Sequence, residues 1–144
     1  MSKTLQAHFA DYSSHHQTAG NQACHSIGIP LIVFSLMALL QQVPLFAAFG
    51  HTVTLGEVVV VAATLYYLTL DVALALGMFV FSAVSLYVGR SLPWKVSLGV
   101  FVFGWILQFV GHSVYEKRSP AFLKNFVHLL VGPLWILAKA MRRT

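Results

Sequence analysis

Residues 55–89, LGEVVVVAATLYYLTLDVALALGMFVFSAVSLYVG, decide the fold. The run is mostly apolar, and its only charged residues are Glu57 near its start and Asp71 near its middle. One helix of this length, at about 1.5 Å rise per residue, overshoots a hydrocarbon core of about 30 Å. It therefore reads as two short helices, 55–70 and 72–89, joined by a tight turn around Thr69–Asp71. Each is at the short end for a membrane span and calls for local thinning or snorkelling.

Working outward, a second apolar run covers Ile27 to about Phe49, with Pro30 in its first turn, Pro44 near its end and Gly50 terminating it. Proline is tolerated in a first turn because its missing N–H is unpaired there anyway. Downstream, Arg90-Ser91-Leu92-Pro93 makes a loop, and a helix from Trp94 to about Val114 carries Trp105, Gln108 and His112. The last segment, Ala121–Met141, holds Lys124, Asn125, His128, a Gly132-Pro133 break and Lys139, and reads as interfacial or re-entrant. Residues 1–24 are polar, with a short amphipathic helix over Leu5–Tyr12 that Gly20 ends. The expected fold is all-α. It is an integral membrane bundle of four transmembrane helices, with an N-terminal polar helical segment and a C-terminal interfacial or re-entrant helix, in one domain over 1–144.

Composition agrees. Hydrophobic residues make up 58% and charged residues 9% of the chain, against roughly 45–50% and 25% in soluble domains. A soluble fold this small has too little interior for that much apolar surface. The start, MSKTLQAHFADYSSHH, has no apolar stretch of the kind a cleavable signal peptide needs. Net charge is +5, with most bases near the C-terminus. Because they fringe apolar segments, they point to anionic headgroups and topology signals, not to nucleic acid. Cys24 is the sole cysteine, so an internal disulfide and a cysteine-based zinc finger are excluded. No GxxxxGK[ST], GxGxxG, GxSxG or HExxH occurs, which argues against ATP hydrolysis, dinucleotide chemistry and serine hydrolysis.

Chemistry concentrates in two clusters. One is HHQTAGNQACHSIGIP over 15–30; the other is QFVGHSVYEKRSPA over 108–121. Counting crossings puts both at one membrane face, side A. With the last segment not crossing, side A also collects Lys3, Lys117, Arg118, Lys124, Lys139, Arg142 and Arg143, against Arg90 and Lys95 opposite. The positive-inside rule then makes side A cytoplasmic, with both termini there. Neutral imidazole is the commonest protein ligand for zinc and iron. His16 and His25 are nine apart and would face opposite ways in one unbroken helix, so the Gly20 break lets them converge. Asn21, four before His25, can hold that histidine or a substrate. His112 and Glu116, also four apart, are either a ligand with its supporting carboxylate or two ligands. His128 faces the same side and is the candidate fourth ligand. Intramembrane ionisable residues are costly and tend to be functional. His8, His51 and Asp71 read as structural, and Trp94, Trp105 and Trp135 as interfacial or packing aromatics.

The pattern Tyr12, His16, Asn21, His25, Gly28, Pro30, then QFVGH, Glu116-Lys117, Pro120-Ala121 and Asn125, resembles a family of small integral-membrane 2-hydroxy fatty acid dioxygenases. Its characterised fungal member acts in phytosphingosine breakdown, and bacterial relatives are common. The likeness runs from about residue 5 to 140; aligned on Asn21, the family's first histidine falls on His16. It implies an iron(II) enzyme, with zinc able to substitute, that shortens a long-chain 2-hydroxy fatty acid by one carbon with O2. It places the metal on His16, His25 and His112, with His128 beside them. Glu116, Asn21 and Tyr12 are the candidate catalytic residues, and Lys117 or Arg118 would steer the anionic head. Two other classes remain open on the residues alone: a zinc hydrolase or hydroxylase of membrane lipids, and a non-enzymatic metal- or lipid-binding membrane protein.

Overall fold

Helix boundaries follow the capping residues, not the ends of the apolar runs. The computed structural model describes residues 1–117 and 127–143. Helix α1 (Lys3–Ser14) is capped by the Ser2 hydroxyl, which accepts the Leu5 N–H at 3.1 Å. Helix α2 (Ala19–Leu40) is capped by Thr18, whose hydroxyl accepts the Asn21 N–H. The break between them therefore lies at His16–Thr18, and Gly20 sits inside the first turn of α2. Gly20 is needed for another reason: a Cβ there would come within 2.2 Å of the Tyr115 ring. Because α2 starts well before Ile27, Pro30 lies in mid-helix instead of the first turn. There it removes the donor that the Ser26 carbonyl would otherwise receive.

The expected helix to Phe49 is also corrected. After Leu40 the chain forms an antiparallel hairpin, β1 (Pro44–Ala48) with β2 (His51–Thr54). Pro44 has no N–H to continue a helix and disfavours helical backbone in the residue before it. Ala48 pairs with His51, leaving Phe49 and Gly50 as a two-residue loop with φ of 51° and 74°, the positive pair that a tight hairpin of this type requires. Thr54 then opens α3 (Leu55–Leu68) with a reciprocal capping box to Glu57. The Thr54 hydroxyl also donates to Gln41 Oε1 at 3.1 Å, tying the start of α3 to the end of α2.

The turn at Thr69–Asp71 is present. Asp71 caps α4 (Val72–Gly89) by accepting the Leu74 N–H at 3.0 Å. Helix α5 (Trp94–Val110) widens into a π-helical turn over Gly111–Glu116, which Lys117 ends in the left-handed region at φ 53°. Helix α6 spans Val127–Ala140, with Pro133 inside it. Arg118, Pro120, Ala121, Lys124 and Asn125 lie outside the described residues.

Among the described residues, three helices are long and apolar enough to cross a membrane: α2, α4, and α5 with its π-helical turn. Helices α3 and α6 have 14 residues each, about 21 Å at helical rise, short of a 30 Å core. The outer faces are apolar, with Val61, Leu65, Val80, Val84, Phe103 and Ile106 exposed, while His16, Asn21, His25, Gln108 and His112 are buried. This polar-inside arrangement suits a lipid surround. Helices α2 and α5 approach closely: a Cβ on Gly28 would lie 3.0 Å from the Gly104 carbonyl, the small-residue contact that membrane helices use.

At one end of the bundle the Asp71 carboxylate binds the Met1 ammonium at 3.0 Å and Arg143 Nη1 at 2.8 Å, and the Ser2 N–H donates to the Leu70 carbonyl. The Leu74 N–H, then Arg143 and the terminal ammonium, hold the Asp71 carboxyl well below the usual carboxylate range. At the other end Glu57 pairs with His51 at 2.9 Å and Arg90 at 3.2 Å. Helix α1 lies across the first end, packing Leu5, Phe9 and Tyr12 against α4 and α6.

Candidate metal centre

Each of the three central histidines stands where a helix is interrupted or just begun. His16 follows the end of α1, His25 is in the second turn of α2, and His112 is in the π-helical turn of α5. They are 2%, 2% and 1% exposed. One ring nitrogen from each lies within 4.8 Å of the others. The rings meet edge to face, with centroids 4.4 Å apart for His16–His25, 4.9 Å for His16–His112 and 4.8 Å for His25–His112.

The donor set fits a metal ion. His16 Nδ1 donates to the Tyr12 carbonyl at 2.6 Å, and His25 Nδ1 to the Asn21 carbonyl at 3.0 Å. With the proton on Nδ1, each ring keeps its Nε2 lone pair, and main-chain carbonyls orient it as they orient metal-binding histidines generally. His16 Nε2 and His112 Nδ1 are buried without a hydrogen-bond partner among the described residues, a cost that a shared cation would offset. Burial lowers the His16 pKa to about 4, so this ring is neutral and ready to ligate. Two nitrogens each about 2.1 Å from one ion lie no more than about 4.2 Å apart. The triad is thus slightly wider than a bound ion requires.

The other residues singled out by the sequence are placed as follows. Glu116 takes four donors: the Gln17 N–H at 3.1 Å, the Thr18 N–H at 3.1 Å, the Thr18 hydroxyl at 2.9 Å and Asn21 Nδ2 at 3.1 Å. It clamps the α1–α2 joint onto the end of α5 and does not line the cavity beside the histidines. Asn21 is fully buried; its carbonyl holds His25 while its side chain binds Glu116. Tyr12 stacks on His16 at 4.0 Å with an 11° interplanar angle, and burial raises its hydroxyl pKa. His128 stands outside the triad, with Nε2 on Asp11 Oδ2 at 2.8 Å. Lys117 is exposed, and His51 is at the far end of the bundle with Glu57.

A cavity of about 70 Å³ opens beside the triad. Tyr12, His16, His25, His112, Gln108 and His128 form its polar wall, and Ile29, Ile32, Val33 and Leu129 its apolar one. On the same measure a water needs about 10–15 Å³, so the space admits a handful of small molecules or a compact polar head. Gln108 Nε2 is buried there without a hydrogen-bond partner among the described residues. A second, almost wholly apolar cavity of about 140 Å³ lies between α2, α4 and α6 and shares Ile29, Val33 and Pro133 with the first.

Sequence reasoning missed Asp11 and Thr18. Thr18 and Asn21 carry the Thr-x-x-Asn spacing of a helix start, and Asp11 precedes His15 by one helical turn, so both had a local signal.

Comparison with known proteins adds a family. Residues 2–144 match the family described as "2-hydroxy-palmitic acid dioxygenase Mpo1-like". The chain is 32% identical over 134 residues to "2-hydroxy-palmitic acid dioxygenase MPO1" of Saccharomyces cerevisiae, covering 92% of this chain and 77% of the yeast protein. No solved structure matches.

Proposed function

The chain belongs to the Mpo1-like family of 2-hydroxy-palmitic acid dioxygenases, and from that premise we propose that it is an iron(II)-dependent dioxygenase that shortens 2-hydroxy fatty acids by one carbon. The observation that carries this reading is the triad of His16, His25 and His112, buried and converging beside an apolar cavity. These three residues would hold the ion. When bound, iron(II) would supply open positions for dioxygen and for a chelating hydroxyl–carboxylate pair.

The chain's own residues do the rest. Gln108 Nε2, buried at the cavity and without a partner among the described residues, donates to the substrate carboxylate. Tyr12 keeps its proton, because burial raises its pKa, and offers a second donor. Ile29, Ile32, Val33 and Leu129 exclude water around the reacting carbons. The acyl chain passes the shared wall of Ile29, Val33 and Pro133 into the second cavity, against Met78 and Phe81. Glu116 and Asn21 act on geometry, holding the α1–α2 joint against α5 so that His16 faces His112.

We place α2, α3, α4 and α5 across the membrane, with α6 seated in the bundle and both termini and the metal centre on the cytoplasmic side. The seven-to-two distribution of Lys and Arg noted above supports this orientation. A cysteine at Ser2 that reacts only from the opposite side would reverse it. Zinc, above iron in the Irving–Williams order, is expected to displace iron during aerobic purification.

The deciding experiment is anaerobic loading with Fe(II), addition of 2-hydroxyhexadecanoate and O2, and product analysis. Expected is O2 uptake with a product one carbon shorter. An iron-loaded protein that consumes no O2 with any 2-hydroxy acid from medium to very long chain would overturn the reading.

A further inference from the structure

A second pair of side chains adjoins the triad and is not used by it. His128, on α6, donates from Nε2 to Asp11 Oδ2 on α1 at 2.8 Å. The His128 side chain is 3% exposed, whereas that of Asp11 is 50% exposed. His128 lines the cavity, and its Nδ1 is buried without a hydrogen-bond partner among the described residues. With the proton on Nε2 facing the carboxylate, Nδ1 is left as a buried lone pair. Tyr12 stands between this pair and the triad, stacked on His16 and edge-on to His128 at 5.6 Å. His15 faces the outer side of the His128 ring at 5.9 Å and bonds the Asp11 carbonyl through Nδ1 at 3.0 Å.

We propose that His128 is the base for the 2-hydroxyl of the substrate and that Asp11 is its positioning residue. The inference rests on the reading of the cavity as the site of a 2-hydroxy acid. In the step, the substrate O–H bond breaks and its electron pair stays on oxygen. The proton forms a new N–H bond at His128 Nδ1, and the imidazolium so made is stabilised by the Asp11 carboxylate. Asp11 holds the Nε2 proton throughout, and the base is restored when Nδ1 gives its proton to the product. No oxidant or reductant enters this step. A carboxylate that fixes the tautomer and steadies the cation of a histidine base is the arrangement used in hydrolytic triads.

The test combines three readouts on the full-length protein. His128→Ala and His128→Gln are expected to keep full iron content. Their kcat should fall by about 100-fold or more, with KM changed less than about threefold. Added imidazole should restore part of the rate in His128→Ala. Asp11→Asn should lower kcat in the same sense, and Asp11→Glu should recover it. Independently of turnover, 15N NMR of the metal-free protein should show His128 protonated at Nε2 and bare at Nδ1, with Asp11→Asn moving the proton to Nδ1. Loss of iron in step with activity in His128→Ala would make His128 a ligand and overturn the proposal. So would a wild-type ring protonated at Nδ1. An inert wild type overturns the substrate reading and this role together; an active wild type with an equally active His128→Gln overturns this role alone.

Discussion

Replacing Glu116 by glutamine separates a clamp from a chemical group. The wild-type carboxylate accepts one hydrogen bond at Oε1, from the Gln17 N–H, and three at Oε2, from the Thr18 N–H, the Thr18 hydroxyl and Asn21 Nδ2. An amide best keeps the three-donor position by turning its oxygen there, which points its NH2 at the Gln17 N–H. Three bonds survive but lose their charge, each dropping from roughly 1.5–3 to 0.5–1.5 kcal/mol, and the fourth becomes two opposed donors. Gln17 is exposed, so water relieves part of that conflict. The three weakened bonds and the lost fourth sum to about 5 kcal/mol, concentrated on the joint that sets His16 against His112. Loosening residues that orient ligands typically costs about 10–100-fold in metal affinity or activity. Glu116→Gln should therefore lower the unfolding midpoint in detergent and weaken iron binding, while turnover per bound iron stays within about threefold of wild type. Elemental analysis, thermal unfolding and O2 uptake measured on the same preparation check this. Full iron content and an unchanged midpoint with a large loss of turnover would refute the clamp and make Glu116 a proton-moving group.

His25→Ala and His112→Ala should each lose the metal, as read by elemental analysis; full occupancy in either would exclude that residue from the centre. Asp71 should impose an acid limit on stability. Its carboxyl is depressed in the folded protein, so its contribution is complete above the unfolded pKa of about 3.9 and fades as pH falls below it. The wild-type unfolding midpoint should drop below about pH 4, while Asp71→Asn, less stable at neutral pH, should lose less over that window; parallel curves would remove Asp71 as the cause. Met78→Trp narrows the second cavity, which Met78 lines, and should shift preference toward shorter 2-hydroxy acids with little effect on iron content. An unchanged chain-length profile would take the acyl chain out of that cavity.

The helical bundle was legible because membrane helices declare themselves by length and apolarity. The tight turn at Thr69–Asp71 was legible because an acid midway along a mostly apolar run of 35 residues has to reach a helix end or a partner, and Asp71 does both. The convergence of His16, His25 and His112 was legible from the crossing count, which needs only parity. Residue-level joints were not. Hydropathy is silent about Thr18, a polar cap that starts α2 ahead of its apolar stretch and moves Pro30 into mid-helix. The hairpin at 44–54 hides in an apolar run; only Pro44 and the Thr54-x-x-Glu57 box betray it. Asp11 and His128 are 117 residues apart, and nothing local marks them as a pair.

The joints matter because they bring the rings together. Helices packed at the usual 8–10 Å must aim three side chains at one point for imidazoles to meet within 4.8 Å, and here regular backbone would put obstacles in the way. Each obstacle is removed by a different local device. The break at His16–Thr18 turns the chain so that His16 faces back toward the residue nine positions on. The π-helical turn at Gly111–Glu116 lets α5 bulge where His112 must reach inward, a distortion often found at functional sites. Gly111 allows the two backbones to close: a Cβ there would lie 2.5 Å from Asn21 Oδ1 and 3.3 Å from His25 Nδ1. Such irregular backbone leaves polar groups that lipid cannot satisfy. Here Glu116 accepts the exposed N–H groups of Gln17 and Thr18, and the His16 and His25 rings bond the Tyr12 and Asn21 carbonyls. The residues that break the helices and those that repair them are thus the ones that aim the ligands. For that reason a conservative change at Gly111 or Thr18 should disturb the metal before it disturbs the bundle.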